Sequence, residues 1–369
     1  MAPSSQIPLA GGHGAGTGPA IARSHGAMKV VRWDRADGAT WNAFVAQHPD
    51  ASFYHRFEWQ AINERALGHE SVMLAATDGG RIRGIFPIVH VKSTLFGNIV
   101  CSMPFVNYGG PVSDSPEVEA LLLDEARRAC DAFDADYLEI RSRREVAGDL
   151  ALATHKVSVT LDLDADSEVI WKGFKTGHRQ EIRRGYKRGA VARCGGVELL
   201  DDFLDVLGES FRNLGTPLYG RNYFAAILEA FPRSTRLCVV YVDGKPAAAA
   251  FDGLHGDTVE GMWLGTKAEF RPMLVGYVLY WELIKDACER GYKRFHLGRS
   301  TAESGGEAFK KKWNASSLQL YWQYYLRRGR EIPGLNVNNP RYQAAIALWR
   351  RLPIGVTRFL GPSIARNIP

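Results

Sequence analysis

No stretch of this 369-residue chain stays apolar for the roughly 20 residues that a membrane-spanning helix needs. Its apolar runs, such as Leu237–Tyr241 and Ala247–Phe251, are the length of strands. Cysteine is scarce and dispersed. Cys101, Cys130, Cys194, Cys238 and Cys288 show neither CxxC nor mixed Cys/His spacing, which argues against a metal site and predicts reduced thiols. GxSxG, HExxH and Walker A segments are all missing, so the usual signs of a serine hydrolase, a zinc protease and a P-loop enzyme are missing with them. The first 27 residues have no charged segment leading into an apolar one, and their Gly, Ala, Ser and Pro content predicts a disordered tail. The alternating Gly12, Gly14, Gly16 and Gly18 have no strand before them and read as low complexity rather than a nucleotide loop. Met28, just ahead of the first patterned segment Lys29–Trp33, is a candidate translation start. Reduced thiols and the missing secretory signal together predict a cytoplasmic protein.

What is present is the composition of a folded soluble chain, 46% hydrophobic and 23% charged, at a length that exceeds one ordinary domain. The patterning predicts helices over 40–47 and 58–66, a hairpin of Val72–Ala76 and Ile82–Val91, and a loop through Pro104, Asn107, Gly109, Gly110 and Pro111. A Ser115-capped helix to Phe133 and a buried strand Tyr137–Ile140 follow. A similar order returns after strand Val157–Leu163 and a long basic helix over 167–188. Helices over 201–212 and 222–231 precede a meander of strands 237–242, 246–254 and 259–265. A helix 274–290, a short strand 295–297 and a last strand 318–326 complete it. Antiparallel meander, helix, strand, stated twice, predicts an α+β chain of two similar units: 28–155 and 156–335, with the active site in the second. A basic amphipathic segment, 336–369, ends the chain.

Net charge is +6, and its distribution is uneven. Lys172, Lys175, Arg179, Arg183, Arg184, Lys187, Arg188 and Arg193 face one acid, Glu181, within a single segment. Helical spacing puts Lys172, Lys175, Arg179 and Arg183 on one face and Phe174, Ile182 and Tyr186 on another. That is either a solvated face or a site for an anion, such as a phosphate-rich substrate, a nucleotide-linked donor or tRNA. A second cationic locus follows a strand end: Gly298-Arg299-Ser300, a loop through Gly305 and Gly306, then Phe309-Lys310-Lys311-Lys312-Trp313. Phe309 and Trp313, four apart, anchor a helical turn from which Lys310 projects toward a carbonyl or phosphate. Aminolysis of an ester or thioester needs an oriented amine and a cation for the oxyanion, and no protein nucleophile. Tyr219, in the turn Leu214–Tyr219, and Trp263 are candidates for a cleft wall beside Tyr223. The scattered histidines, His55, His69, His178, His255 and His296, are assigned no role.

Four segments resemble one family jointly: Pro104-Phe105-Val106-Asn107-Tyr108-Gly109-Gly110-Pro111, the run Arg179–Gly189, Gly215-Thr216-Pro217-Leu218-Tyr219, and Gly298-Arg299-Ser300 with Phe309-Lys310-x-x-Trp313. The chain from Met28 to Pro369 resembles the FemAB-like branch of the GNAT acyltransferases, and its PEP-CTERM/exosortase-associated subgroup. The resemblance implies tandem GNAT-like (acyl-CoA N-acyltransferase-like) domains that move an aminoacyl or acyl group onto an amine of a saccharide or lipid-linked envelope or exopolysaccharide precursor. It implies that Lys310 stabilises the reacting carbonyl or phosphate as the catalytic cation; Arg179, Arg183, Tyr219, Trp263, Arg299, Phe309, Asn107 and Tyr108 are the expected substrate-binding residues. No tightly bound cofactor and no metal are expected; aminoacyl-tRNA or acyl-CoA is the anionic co-substrate. The acetyl-CoA loop of ordinary GNATs is only loosely matched by Arg271-Pro-Met-Leu-Val-Gly276, and no coiled-coil arm is present, so both donors stay open. Pyrophosphate could meet the backbone amides opening the helix at Leu274. A contrasting reading is a non-catalytic module that binds nucleic acid or a membrane surface. Trp349, Leu352, Ile354 and Phe359 among Arg350, Arg351 and Arg358 suit an interfacial segment peripheral to the inner membrane, and Pro353 breaks it.

Overall fold

A computed structural model describes residues 28–33, 35–93, 97–329, 331–332 and 340–368; the tail expected over 1–27 lies outside them. The first half runs β1 (Lys29–Arg32), α1 (Gly38–Gln47), α2 (Trp59–Ile62), β2 (Glu70–Asp78), β3 (Arg81–Ser93), β4 (Gly97–Cys101), β5 (Val112–Ser113), α3 (Pro116–Ala132), β6 (Tyr137–Ser142) and β7 (Ala151–Asp162). Two helices follow, α4 (Ser167–Gly173) and α5 (Thr176–Lys187). The second half runs β8 (Val191–Gly195), α6 (Leu200–Leu214), α7 (Arg221–Ala230), β9 (Thr235–Val242), β10 (Lys245–His255), β11 (Thr258–Thr266), α8 (Val275–Glu289), β12 (Arg294–Thr301), α9 (Gly305–Lys311) and β13 (Ser316–Leu326). Then come α10 (Pro340–Arg351) and α11 (Ile354–Ala365).

Local chemistry sets these boundaries. Ser115 caps α3 by accepting from the Val118 amide at 3.4 Å, and Pro116 occupies the first helical position, where no donor is needed. The turn between β9 and β10 is Asp243-Gly244, both at positive φ, which is the backbone a two-residue hairpin turn requires. The helix expected as one piece over 167–188 breaks at Phe174 and Lys175, both extended, because Phe174 turns inward to pack on Trp281 and Trp313.

Among the described residues all thirteen strands form one sheet, ordered β1-β2-β3-β4-β6-β13-β7-β12-β11-β10-β9-β8, with β5 on β3. Each half contributes an antiparallel run that ends in a parallel pair joined through a helix: β4 and β6 through α3, β11 and β12 through α8. The final strands are exchanged. β7 pairs with β12 of the second half, and β13 lies between β6 and β7, completing the first. β7 also runs through the junction expected between 155 and 156.

The apolar core is continuous across the halves. Phe53, Trp59 and Phe105 pack in one cluster with Phe203, Phe224, Phe231 and Trp263. Phe53 meets Phe231 at 4.6 Å between centroids, and a Cβ on Gly253 would stand 2.4 Å from the Phe53 ring. Only glycine fits there.

One expectation about cysteine is overturned. Cys194 and Cys238 are direct partners in the β8–β9 register and form a disulfide, while Cys101, Cys130 and Cys288 are buried free thiols. The pair is 44 residues apart in sequence, and β8, short and largely exposed, has no pattern that announces it as a strand.

Candidate active site

The parallel strands β11 and β12 hold register only from Thr258–Arg294 to Glu260–His296. Beyond that point a cavity of about 460 Å³ opens between them. Gly261 and Gly298 meet at its apex. A Cβ on Gly298 would lie 2.9 Å from the Gly261 carbonyl, and Gly298 itself sits at φ +82°, where β12 slips register against β7 between His296 and Arg299.

That slip exposes the Gly298 and Arg299 carbonyls, and Lys310 uses them. Its Nζ donates to the first at 2.8 Å and the second at 3.0 Å. An ammonium has three protons, so one remains for the cavity that Lys310 lines. The lysine is held in place through α9. Ser304 caps that helix, and Glu307 accepts from the Glu303 amide, from Ser317 and from Lys311. Phe309 packs against Tyr277 and Tyr280 at about 5.5 Å, below the cavity rather than in it. Burial, reinforced by Arg299, lowers the Lys310 pKa to about 8.

Two guanidiniums join it. Arg299 lies over Trp322 at 5.1 Å and donates to the Val106 carbonyl at 3.4 Å; burial and then Arg141 bring its pKa down to about 10. Arg141, almost fully buried, stacks on the same indole at 4.4 Å and donates to Glu139 at 2.5 Å. The carboxylate of Asp252 also reaches the lining, but Arg236 holds it at 2.8 Å. The cavity therefore carries an excess of fixed positive charge, placed to act on an anion or a developing oxyanion.

The first half closes one side. Asn107 donates to the Tyr54 hydroxyl at 2.9 Å and to the Gly261 carbonyl at 3.1 Å, tying its loop to the splayed strand. His55 supports this loop by donating from Nε2 to the Gly110 carbonyl at 2.9 Å while Nδ1 accepts from the Ser52 amide. Tyr108 lies deeper. Its hydroxyl donates to Glu260 and stands 3.2 Å from His296 Nδ1, and it does not reach the cavity. The opposite wall is aromatic: Tyr219 packs edge-on against Phe105 and Trp263.

Of the residues expected from sequence, Lys310, Arg299, Asn107, Tyr219 and Trp263 share this cavity. Tyr108 and Phe309 form its supporting layer. Arg179 and Arg183 do not enter it: Arg179 donates to Thr176 at 3.4 Å, and Arg183 lies over Trp171 at 5.3 Å, on the outward side of α5. Sequence reasoning missed Arg141 and Tyr54. Arg141 directly follows the expected strand Tyr137–Ile140, and a cation inside a buried strand is the one signal that could have marked it.

Residues 172–311 match the family model of the acetyltransferase (GNAT) domain, a span that includes Arg299 and Lys310. Among solved structures, FemX is similar with a TM-score of 0.64 at 15% identity, over 86% of this chain and 100% of that one. A tandem GNAT protein from the clavulanic acid biosynthesis pathway aligns with a TM-score of 0.54 at 11% identity, over 82% and 100%. The fold is a tandem GNAT. The C-terminal domain of a putative lysylphosphatidylglycerol synthetase from Agrobacterium fabrum shares it, with a TM-score of 0.53 at 15% identity over 85% and 94%. No curated protein matches the chain in sequence. In this fold the cavity lies at the parted parallel strands β11 and β12, and among the described residues no group of side chains is arranged to hold a metal ion.

Proposed function

We propose that this chain is a FemAB-like transferase, of the kind associated with PEP-CTERM/exosortase systems, that forms an amide on an amine of a cell-envelope or exopolysaccharide precursor in the cytoplasm. The observation that carries the reading is Lys310, an ammonium fixed by two carbonyls with its remaining proton available to a cavity that Arg299 also lines. The amine nitrogen attacks the donor's ester or thioester carbonyl carbon. Negative charge collects on the carbonyl oxygen beside Lys310 and Arg299, the bond to the donor oxygen or sulfur breaks, and the surplus nitrogen proton leaves with the alcohol or thiol. Lys310 is the catalytic cation in this scheme. Arg299 and Asn107 bind substrate, Tyr219 and Trp263 wall the cleft, and Tyr108 and Phe309 hold the binding groups in place. Arg179 and Arg183, on the outward basic face, are available to the phosphates of a donor outside the cavity.

The donor is aminoacyl-tRNA in the reading favoured here, and acyl-CoA in the alternative. Pyrophosphate in the alternative would meet the backbone amides opening α8, while α5 packs on the carbonyl side of that turn: a Cβ on Gly185 would stand 3.2 Å from the Leu274 carbonyl, and Arg188 donates to the Pro272 carbonyl. Calorimetry of the purified chain with charged tRNA and with acetyl-CoA distinguishes the two. Tight CoA binding with no response to charged tRNA would reverse the preference, and a Lys310→Ala variant that keeps wild-type transfer activity would remove the proposed mechanism under either donor.

A further inference from the structure

The helical pair at the C-terminal end has two unlike sides. Toward α6 it presents Trp349, Thr357, Gly361 and Ala365, all buried, and Arg358 reaches Asp205 at 2.6 Å. Away from α6, α11 presents Val356, Phe359 and Leu360, one helical face at i, i+3 and i+4, and α10 presents Leu348 and Arg351. Phe359 is 82% exposed and Leu348 62%. Large side chains this open on consecutive helices form an apolar face rather than isolated surface residues.

Charge narrows the occupant. From Ile332 to Pro369 the sequence contains Arg341, Arg350, Arg351, Arg358 and Arg366 and no aspartate or glutamate. A symmetric dimer would bring this face, with Arg351 on it, against a second copy, with no acid in the segment to pair that guanidinium. Arg350 and Arg358 are held on the α6 side by the Leu214 carbonyl and Asp205, which leaves Arg351 on the outer face. An anionic lipid surface satisfies both features: acyl chains receive Phe359 and its neighbours, and a headgroup phosphate receives Arg351. The location also fits a role at the site. The Arg366 carbonyl accepts from His69 Nε2 at 2.5 Å, and Ile368 lines the catalytic cavity, so the segment bearing this face ends at the cavity itself.

We propose that the outer face of α10–α11 docks the protein on anionic membrane, with the cavity next to the bilayer surface. The proposal stands on the exposed face and its charge, independently of the transfer reaction. It is tested by sedimenting the full chain with vesicles of phosphatidylcholine alone and of phosphatidylcholine mixed with phosphatidylglycerol. Binding is expected only to the mixed vesicles and should weaken as salt rises. Phe359→Asp should lower the partition coefficient at least tenfold, and Arg351→Glu on the order of tenfold, both with unchanged thermal melting because neither side chain is buried. Failure of the wild-type chain to bind phosphatidylglycerol vesicles at low salt overturns the proposal, as does unchanged binding by Phe359→Asp. So does a finding that the wild type is a dimer which Phe359→Asp converts to monomer without affecting lipid binding.

Discussion

Lys310 is a cation whose environment works against its charge. Burial comes first and Arg299 second, and together they bring its pKa from 10.5 to about 8. If transfer depends on the ammonium, the rate constant falls as pH rises through about 8, and in Lys310→Ala that alkaline decline disappears along with a factor of about 10² to 10³ in kcat. A pH–rate series on both proteins checks this. The same shift bears on stability with a defined sign. The folded value lies below the unfolded one, so the unfolded chain holds more protons between about pH 8 and 10.5, and the stability attributable to this residue rises with pH across that window. The cation was legible in sequence because Phe309 and Trp313, four apart, imply a turn that aims the residue between them elsewhere. What Lys310 touches was not legible, since the carbonyls it caps exist only through the Gly298 slip. Arg141 escaped for a related reason. Its environment is an indole 181 positions further along, and no local pattern encodes so distant a neighbour.

At the scale of elements, the loop from Met103 to Pro111 depends on a histidine that no local pattern assigns a role. His55 is buried, with Nε2 donating to Gly110 and Nδ1 accepting from Ser52, a set of partners that only the neutral ring satisfies. Burial accordingly lowers its pKa to about 3. As pH falls from 6.5 toward 3 the unfolded chain takes up a proton here and the folded one does not. Stability should therefore decline by roughly 1.4 kcal/mol per pH unit from this residue alone. Denaturant melts of wild type and His55→Gln between pH 7 and 4 should show a shallower acid dependence in the variant, despite its lower stability at neutral pH. Elements with strong period and capping, such as α3 and the β9–β10 hairpin, were readable almost to their ends. Short ones were not. β4, β5 and β8 have two to five residues, too few to establish alternation, and their existence is decided by the strands they pair with.

Considered whole, the molecule repeats a unit whose order of elements was visible in sequence, while the trade of β7 for β13 was not, because pairing between distant strands leaves no periodic trace. The trade predicts that the halves are not independent. Residues 28–155 produced alone would leave β6 without β13 and expose its edge, so this fragment should aggregate, and the intact protein should melt in a single calorimetric transition. Two separated transitions would show instead that the shared core and the traded strands couple the halves weakly. The order of synthesis gives the same feature another meaning. Ser316–Leu326 is made after every other described strand, yet it completes the sheet that begins at Lys29, so a nascent chain carrying every other strand of the first half still lacks that half's final partner. The N-terminal unit cannot mature on the ribosome ahead of the C-terminal one, and the cavity forms only after β13 has been made.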